Sequence, residues 1–189
     1  TATPGPTSYP PGAVLIYEIA YDALAGGNDA AYEWFELHNR THEPVSLNGW
    51  TIADNSARDT LPALMLPADG FVVIAARIAS FLEDYPDFAG VIGSIADGRI
   101  GNGLANTGDR LLLYDPTGHL IDALSYGDDA SVFNPPAPGV VAGHSLEREP
   151  GAPDTDTAAD FVDRAHPSPG GTPQPTPTAT MTPTATATA

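Results

Sequence analysis

Two glutamates, Glu33 and Glu36, stand in the run Glu33-Trp34-Phe35-Glu36-Leu37-His38-Asn39. A pair of carboxyl groups on one cleft wall can cleave a glycoside, one as acid and the other as base or nucleophile. In an extended chain, side chains alternate with a period of two, so Glu36 shares a face with Trp34 and Glu33 with Phe35. The spacing therefore speaks against a joint catalytic role. One of the two glutamates is expected to reach an inward face, where an ionised carboxylate needs a donor. Arg110 and Arg148 are the natural partners, because a guanidinium fork matches a carboxylate.

The most metal-like stretch is Asp154-Thr155-Asp156-Thr157-Ala158-Ala159-Asp160. Spaced carboxylates with hydroxyls between them suit Ca2+, so Asp154, Asp156 and Asp160 are weak Ca2+ candidates. Against this, Ala158 takes a ligand position of the EF-hand loop, Ala159 replaces its glycine and Ala165 its final glutamate. The competing reading is a capped turn, with Thr157 and Asp160 at capping-box spacing. No other cofactor is expected. Of the five histidines, only His38 and His42 are four apart, and they straddle a strand end and a loop, a poor zinc geometry. Ser145 in Gly143-His144-Ser145-Leu146-Glu147 lacks the second glycine of a nucleophile elbow. Asn106-Thr107-Gly108-Asp109 could cradle a phosphate only within a strand, Gly loop and helix order that is absent here; it reads as a turn feeding a strand.

The elements that would position these residues are short strands separated by turn signals. Val14 to Ala20, Glu33 to Asn39, Trp50 to Ala53, Phe71 to Ala75, Asp109 to Tyr114, Leu120 to Tyr126, His144 to Arg148 and Phe161 to Arg164 read as strands. Residues 60–66, broken by Pro62, read as an edge strand. Gly26-Gly27-Asn28-Asp29, Asn48-Gly49 and Asp115-Pro116-Thr117-Gly118 mark loops and turns. Ile78, Phe81, Leu82 and Tyr85 recur at helical intervals and stop at Pro86, which predicts a short helix over one end of the body. About nine strands with one brief helix give an all-β sandwich. Trp34 and Trp50 are read as core rings spanning both sheets; the rival reading is an exposed platform for a sugar or peptide.

Composition narrows the partners. The chain has 189 residues, a formal net charge of −17 and no lysine or cysteine. Without a basic stripe it is not expected to bind nucleic acid or anionic lipid. Without cysteine there is no disulfide, thiolate zinc site or thiol nucleophile. No apolar run reaches the length of a membrane span. Residues 1–12 and 172–189 are rich in Thr, Pro, Gly and Ala and read as extended linkers flanking one domain over residues 13–171. The chain begins at Thr1 rather than Met, as an excised or processed fragment would. Pro-Thr-Ala spacers of this kind point to an extracellular or cell-surface module.

The ordered motifs carry a resemblance. Glu33-Trp34-Phe35-Glu36-Leu37-His38-Asn39, Leu47-Asn48-Gly49-Trp50, Asn106-Thr107-Gly108-Asp109, Ser145-Leu146-Glu147-Arg148, Asp160-Phe161 and Pro167-Ser168-Pro169-Gly170 together resemble the lamin tail domain over roughly Val14 to Gly170. The resemblance implies an immunoglobulin-like β-sandwich in which Glu33, Trp34, Glu36, Asn39, Gly49, Trp50, Asn106, Gly108, Asp109, Arg148 and Phe161 are structural positions. It also implies a non-enzymatic interaction or spacer module, here of the exported bacterial kind. Such a module is expected to be monomeric and to meet a protein or cell-surface polymer through loops and edge strands. The alternative is an accessory polysaccharide-binding domain, calcium-dependent or not, beside a hydrolase.

Overall fold

The apolar runs become strands because each can bury one face against a second layer. The computed structural model describes residues 7–24 and 29–171. The linker expected over residues 172–189, the first half of that expected over 1–12 and the Gly26-Gly27-Asn28 loop lie outside the described residues. In chain order the strands are β1 (Val14–Ala20), β2 (Trp34–Asn39), β3 (Val45–Ser46), β4 (Thr51–Ala53), β5 (Arg58–Thr60), β6 (Met65–Leu66) and β7 (Phe71–Ala75). The helix α1 (Ile78–Asp84) follows, then β8 (Ile92–Ser94), β9 (Gly108–Tyr114), β10 (Leu120–Gly127), β11 (Ser145–Arg148) and β12 (Phe161–Arg164).

A six-stranded sheet runs β12-β11-β1-β2-β7-β8 and faces a four-stranded sheet β10-β9-β4-β5, with β3 and β6 forming a small third pair. Among the described residues, all pairings between these strands are antiparallel except β7 with β8. Phe35, Leu37, Val72 and Ile74 from one sheet meet Trp50, Ile52, Leu111 and Leu113 from the other in a single buried core. β5 and β6 flank Pro62, so the predicted strand over residues 60–66 is two shorter ones with the proline between them. β8 was not foreseen: it is three residues long and needs a crossover, α1, to lie beside β7.

One irregularity sets which residues share a face. The β1–β2 register slips between Ile16 and Glu18, so Ile16 and Ile19 both point into the core. Tyr17 and Glu18 then lie together on the outer face. A β-bulge has this effect by opposing two residues to one.

Helix α1 packs over the outer face of the six-stranded sheet, not over an end of the sandwich. Phe81 packs with Trp34, Val73 and Ala75, and Phe88 and Tyr85 close the cluster. Trp34 lies in that second, outer core. Its indole, 1% exposed, meets Phe81 and Tyr85 edge-on at 5.8 and 5.7 Å. The expectation that both tryptophans span the two sheets therefore holds for Trp50 and is corrected for Trp34: the strand period gave its face, and the helix covers that face.

Within residues 7–12, Thr7, Ser8, Pro10 and Pro11 are exposed, and the segment touches the domain through Tyr9 and Gly12. Tyr9 packs on Trp50 with ring centroids 5.2 Å apart, and its N–H donates to Asp115. Gly12 N–H donates to the Ile121 carbonyl.

Trp34→Ala is expected to cost about 3–5 kcal/mol, the range for a large buried aromatic. Because Trp34 is the floor under α1, amide exchange should rise first in α1 and β8 and last in β9 and β10. Urea unfolding with hydrogen exchange read by mass spectrometry checks both.

Candidate functional site

The chemistry-bearing side chains gather in two places on either side of the β1 bulge. Inside the sandwich is a guanidinium. Arg148 on β11 donates from Nε to the Ile16 carbonyl at 2.9 Å. Its other nitrogens reach Asp122 at 3.0 Å, Asp154 at 2.8 Å and Asp160 at 3.2 Å. The guanidinium lies over the Phe161 ring, 4.6 Å from its centroid. Asp122 also accepts the Ile16 N–H at 2.6 Å, so one ion cluster holds both main-chain groups of the residue before the bulge. Burial pushes the Asp122 carboxyl up to about 6, with Arg148 opposing it.

This arrangement corrects two expectations. Neither Glu33 nor Glu36 takes an arginine: Arg148 serves three aspartates, and Arg110 reaches Asp129 and Ser131. Two of the three calcium candidates, Asp154 and Asp160, face the protein's own cation. Asp160 also closes the capping box with Thr157, as its spacing predicts, and accepts from Thr155 N–H. Asp156 is exposed at a left-handed φ of 54°. Among the described residues no group of three or more His, Cys, Asp or Glu could hold a metal ion.

On the outer face lies a row of acids. In register, Glu36 on β2 lies beside Glu18 on β1, and Glu18 beside Glu147 on β11. All three are fully buried. What buries them is the closing segment 167–170, whose main chain crosses the row. Ser168 N–H donates to Glu18 at 3.0 Å and Gly170 N–H to Glu36 at 2.5 Å. Ser145 Oγ donates to Glu18, and Arg164 Nε to Glu147 at 2.7 Å. Glu36 Oε2, Glu147 Oε1 and Ser168 Oγ are buried with no partner among the described residues. Burial is the main force raising these acids: Glu18 stands at about 7 and Glu36 at about 9, with repulsion from the row adding to each, and Glu147 is raised as well, with Glu149 adding to it. Glu18 was invisible as a member because plain alternation turns it inward.

The remaining sequence candidates are structural. Glu33 points away from Glu36, accepts the Leu104 N–H at 3.0 Å and is raised by burial to about 8. Asn39 is buried and ties Thr41 N–H and the Glu43 and Pro67 carbonyls together, joining two turns. Gly49 takes φ 81° in the turn between β3 and β4. Asn106 bridges Asp22 and Asp29 through Nδ2. Gly108 must lack a side chain, because a Cβ there would stand 2.4 Å from the Asp128 main-chain nitrogen. Asp109 accepts the N–H groups of Ala105, Asn55 and Arg110.

One arrangement looks like a relay and is not. Ser8 Oγ is 3.0 Å from His119 Nδ1, and Asp115 is 3.9 Å from that same nitrogen. A nucleophile and an orienting acid must engage opposite ring nitrogens. Ser145, the other serine considered, donates to Glu18.

These features define an immunoglobulin-like sandwich module whose buried acids serve the fold. Residues 7–128 match the model of the Lamin Tail Domain family, more than half of the chain. The chain belongs to the lamin tail domain family. The match stops before β11 and β12, which complete the same six-stranded sheet. None of the curated proteins compared with the chain matches it.

Arg148→Met should cost about 3–5 kcal/mol at pH 7, since it leaves buried carboxylates without their cation. The deficit should shrink toward pH 4 as Asp122, which burial raises, takes up its proton, and denaturant melts at the two pH values would read this. The glutamate row has its own signature. Its acids keep protons in the folded chain at pH values where the unfolded chain has lost them. Stability therefore falls as pH rises from the ordinary glutamate value toward 7 for Glu18 and 9 for Glu36. Each retained proton contributes about 1.4 kcal/mol per pH unit. Glu36→Gln should flatten the decline between pH 5 and 9; an unchanged slope in guanidinium titrations would contradict the assignment.

Proposed function

We propose that this chain is a non-catalytic interaction or spacer module of a larger exported protein, acting outside the cell or at its surface. The observation that carries the reading is where its carboxylates are spent. Glu33, Glu36 and Asp109 accept main-chain N–H groups, and Asp154 and Asp160 hold Arg148. Such groups position a backbone; they are not presented to a substrate. The membership in a family of immunoglobulin-like modules supports the same reading, as do the Thr/Pro tracts at the chain's ends.

The surface available for contact includes a strand edge. Leu61 N–H donates to Trp50 and Asp54 N–H to Ala57, so by antiparallel alternation Asp59 faces β4 while the main chains of Arg58 and Thr60 face outward. An extended partner segment could add there. The edge proposed here is β5, a few residues before the 60–66 stretch that its sequence first suggests. The polysaccharide-binding alternative has no indole platform to use, since Trp34 and Trp50 are 1% and 0% exposed.

The test is a panel of glycoside, ester, phosphodiester and peptide substrates, with sedimentation of insoluble polysaccharides alongside. No turnover and no co-sedimentation are expected. Turnover that Glu36→Gln abolishes at unchanged melting temperature would refute the non-catalytic reading, and saturable co-sedimentation would favour the alternative.

A further inference from the structure

The closing segment is held in an unusual way. Its two hydrogen bonds to the sheet run from main-chain N–H groups to carboxyls that lie in a row of three, not to a strand. Directly opposed residues on paired strands hold their Cβ atoms about 4.5–5.5 Å apart. Three carboxylates at that spacing, away from water, cannot all be ionised without cations. The row has one cation, Arg164, and it is shared with Glu149 at 3.3 Å. The other titratable groups packed around the row are Tyr17 on β1 and Tyr85 beyond α1. Burial and the glutamates' charge raise both, so neither supplies a positive charge. The unpartnered oxygens of Glu36 and Glu147 suit carboxyls that carry protons.

The segment itself is lightly attached. It follows β12, lays Pro169 beside Tyr85 and Phe88, and passes Gly170 at φ 85° so close to Phe88 that a Cβ would come within 2.7 Å of the ring. Lifting it breaks two hydrogen bonds and these ring contacts, and leaves every strand pairing in place.

We propose that residues 167–170 form a proton-held latch, closed over Glu36, Glu18 and Glu147 while the row keeps protons, and released from the sheet when the row ionises. A single anion in the row would grip its N–H donors more firmly. The second and third charges would stand beside the first out of water, with Glu36 Oε2 and Glu147 Oε1 still lacking donors among the described residues, and only water can relieve them. Opening admits that water and frees the root of the Thr/Pro tract that begins at Thr172. The outer face of the six-stranded sheet then carries three exposed acids beside the Tyr85 and Phe88 rings. This inference goes beyond the interaction-module reading and does not depend on it.

The experiment is a pH series of nitrogen-15 correlation spectra on the full chain between pH 5 and 9.5. The Ser168 and Gly170 amides should move together to positions of an unstructured segment, with a midpoint above pH 7, while the amides of Leu37 and Leu113 stay in place. In Glu36→Gln the amide of residue 170 keeps a neutral acceptor and the row loses a charge, so the midpoint should rise by at least one pH unit. Glu18→Gln should act the same way, which keeps the test open if one variant folds poorly. Ser168→Pro, which removes one donor without touching the sheet, should lower the midpoint. Ser168 and Gly170 amides that stay fixed to pH 9.5, or glutamine variants that release at the wild-type pH, would overturn the latch.

Discussion

The structure turns on the contact between Arg148 and the main chain of Ile16. A strand in a two-layer sandwich is normally free to run with plain alternation, which would send Glu18 into the core with Ile16. Here Asp122 accepts the Ile16 N–H and Arg148 donates to its carbonyl, so that residue is fixed from inside the sandwich. The register slip immediately after it carries Glu18 out and Ile19 in. A buried charge is costly unless fully hydrogen-bonded. Arg148 meets that condition with three carboxylates, a carbonyl and an aromatic face. The acid row outside thus follows from a bulge that the ion cluster inside holds in place.

The same constraint governs how so acidic a chain accommodates its buried carboxyls. With seven arginines and no lysine, cations are scarce, and the fold concentrates one of them on three aspartates. The outer row is left with Arg164 alone, so its neutralisation falls to protons and main-chain N–H groups. Asp115 shows the opposite solution. Its burial would raise it, but hydrogen bonds from Thr117, Tyr9 and His119 outweigh that and hold it at about 2. A carboxylate with enough donors stays ionised in the interior; one without them keeps its proton.

Much of this was legible in the sequence, where local rules decide. Asn39, Gly49, Asp109 and the Thr157–Asp160 capping box follow from turn and cap chemistry within a few residues of each other. Trp50 follows from its place at the start of a buried strand. What was hidden depends on distant partners. Trp34's face could be read from the strand period, but not that α1 would cover that face, because a seven-residue helix says nothing about which layer it joins. Arginine partners were misassigned since Asp122 had no feature marking it as buried. The bulge could not be seen at all: nothing in Ile16-Tyr17-Glu18-Ile19 departs from ordinary strand composition.

The geometry of the ends bears on the spacer reading. The first described residues dock beside the β9–β10 turn, through Ser8 on His119 and Tyr9 on Asp115 and Trp50. The last described residues cross the outer face of the other sheet and stop beside Phe88. The two attachments therefore lie on different layers of the sandwich, although the strands they lead into, β1 and β12, belong to the same six-stranded sheet. The first attachment joins the chain to a turn stabilised by a strongly ionised aspartate. The second joins it to acids that hold protons. The row that holds the second also holds the proposed latch, so ionisation of those acids would act on the chain at residues 167–170.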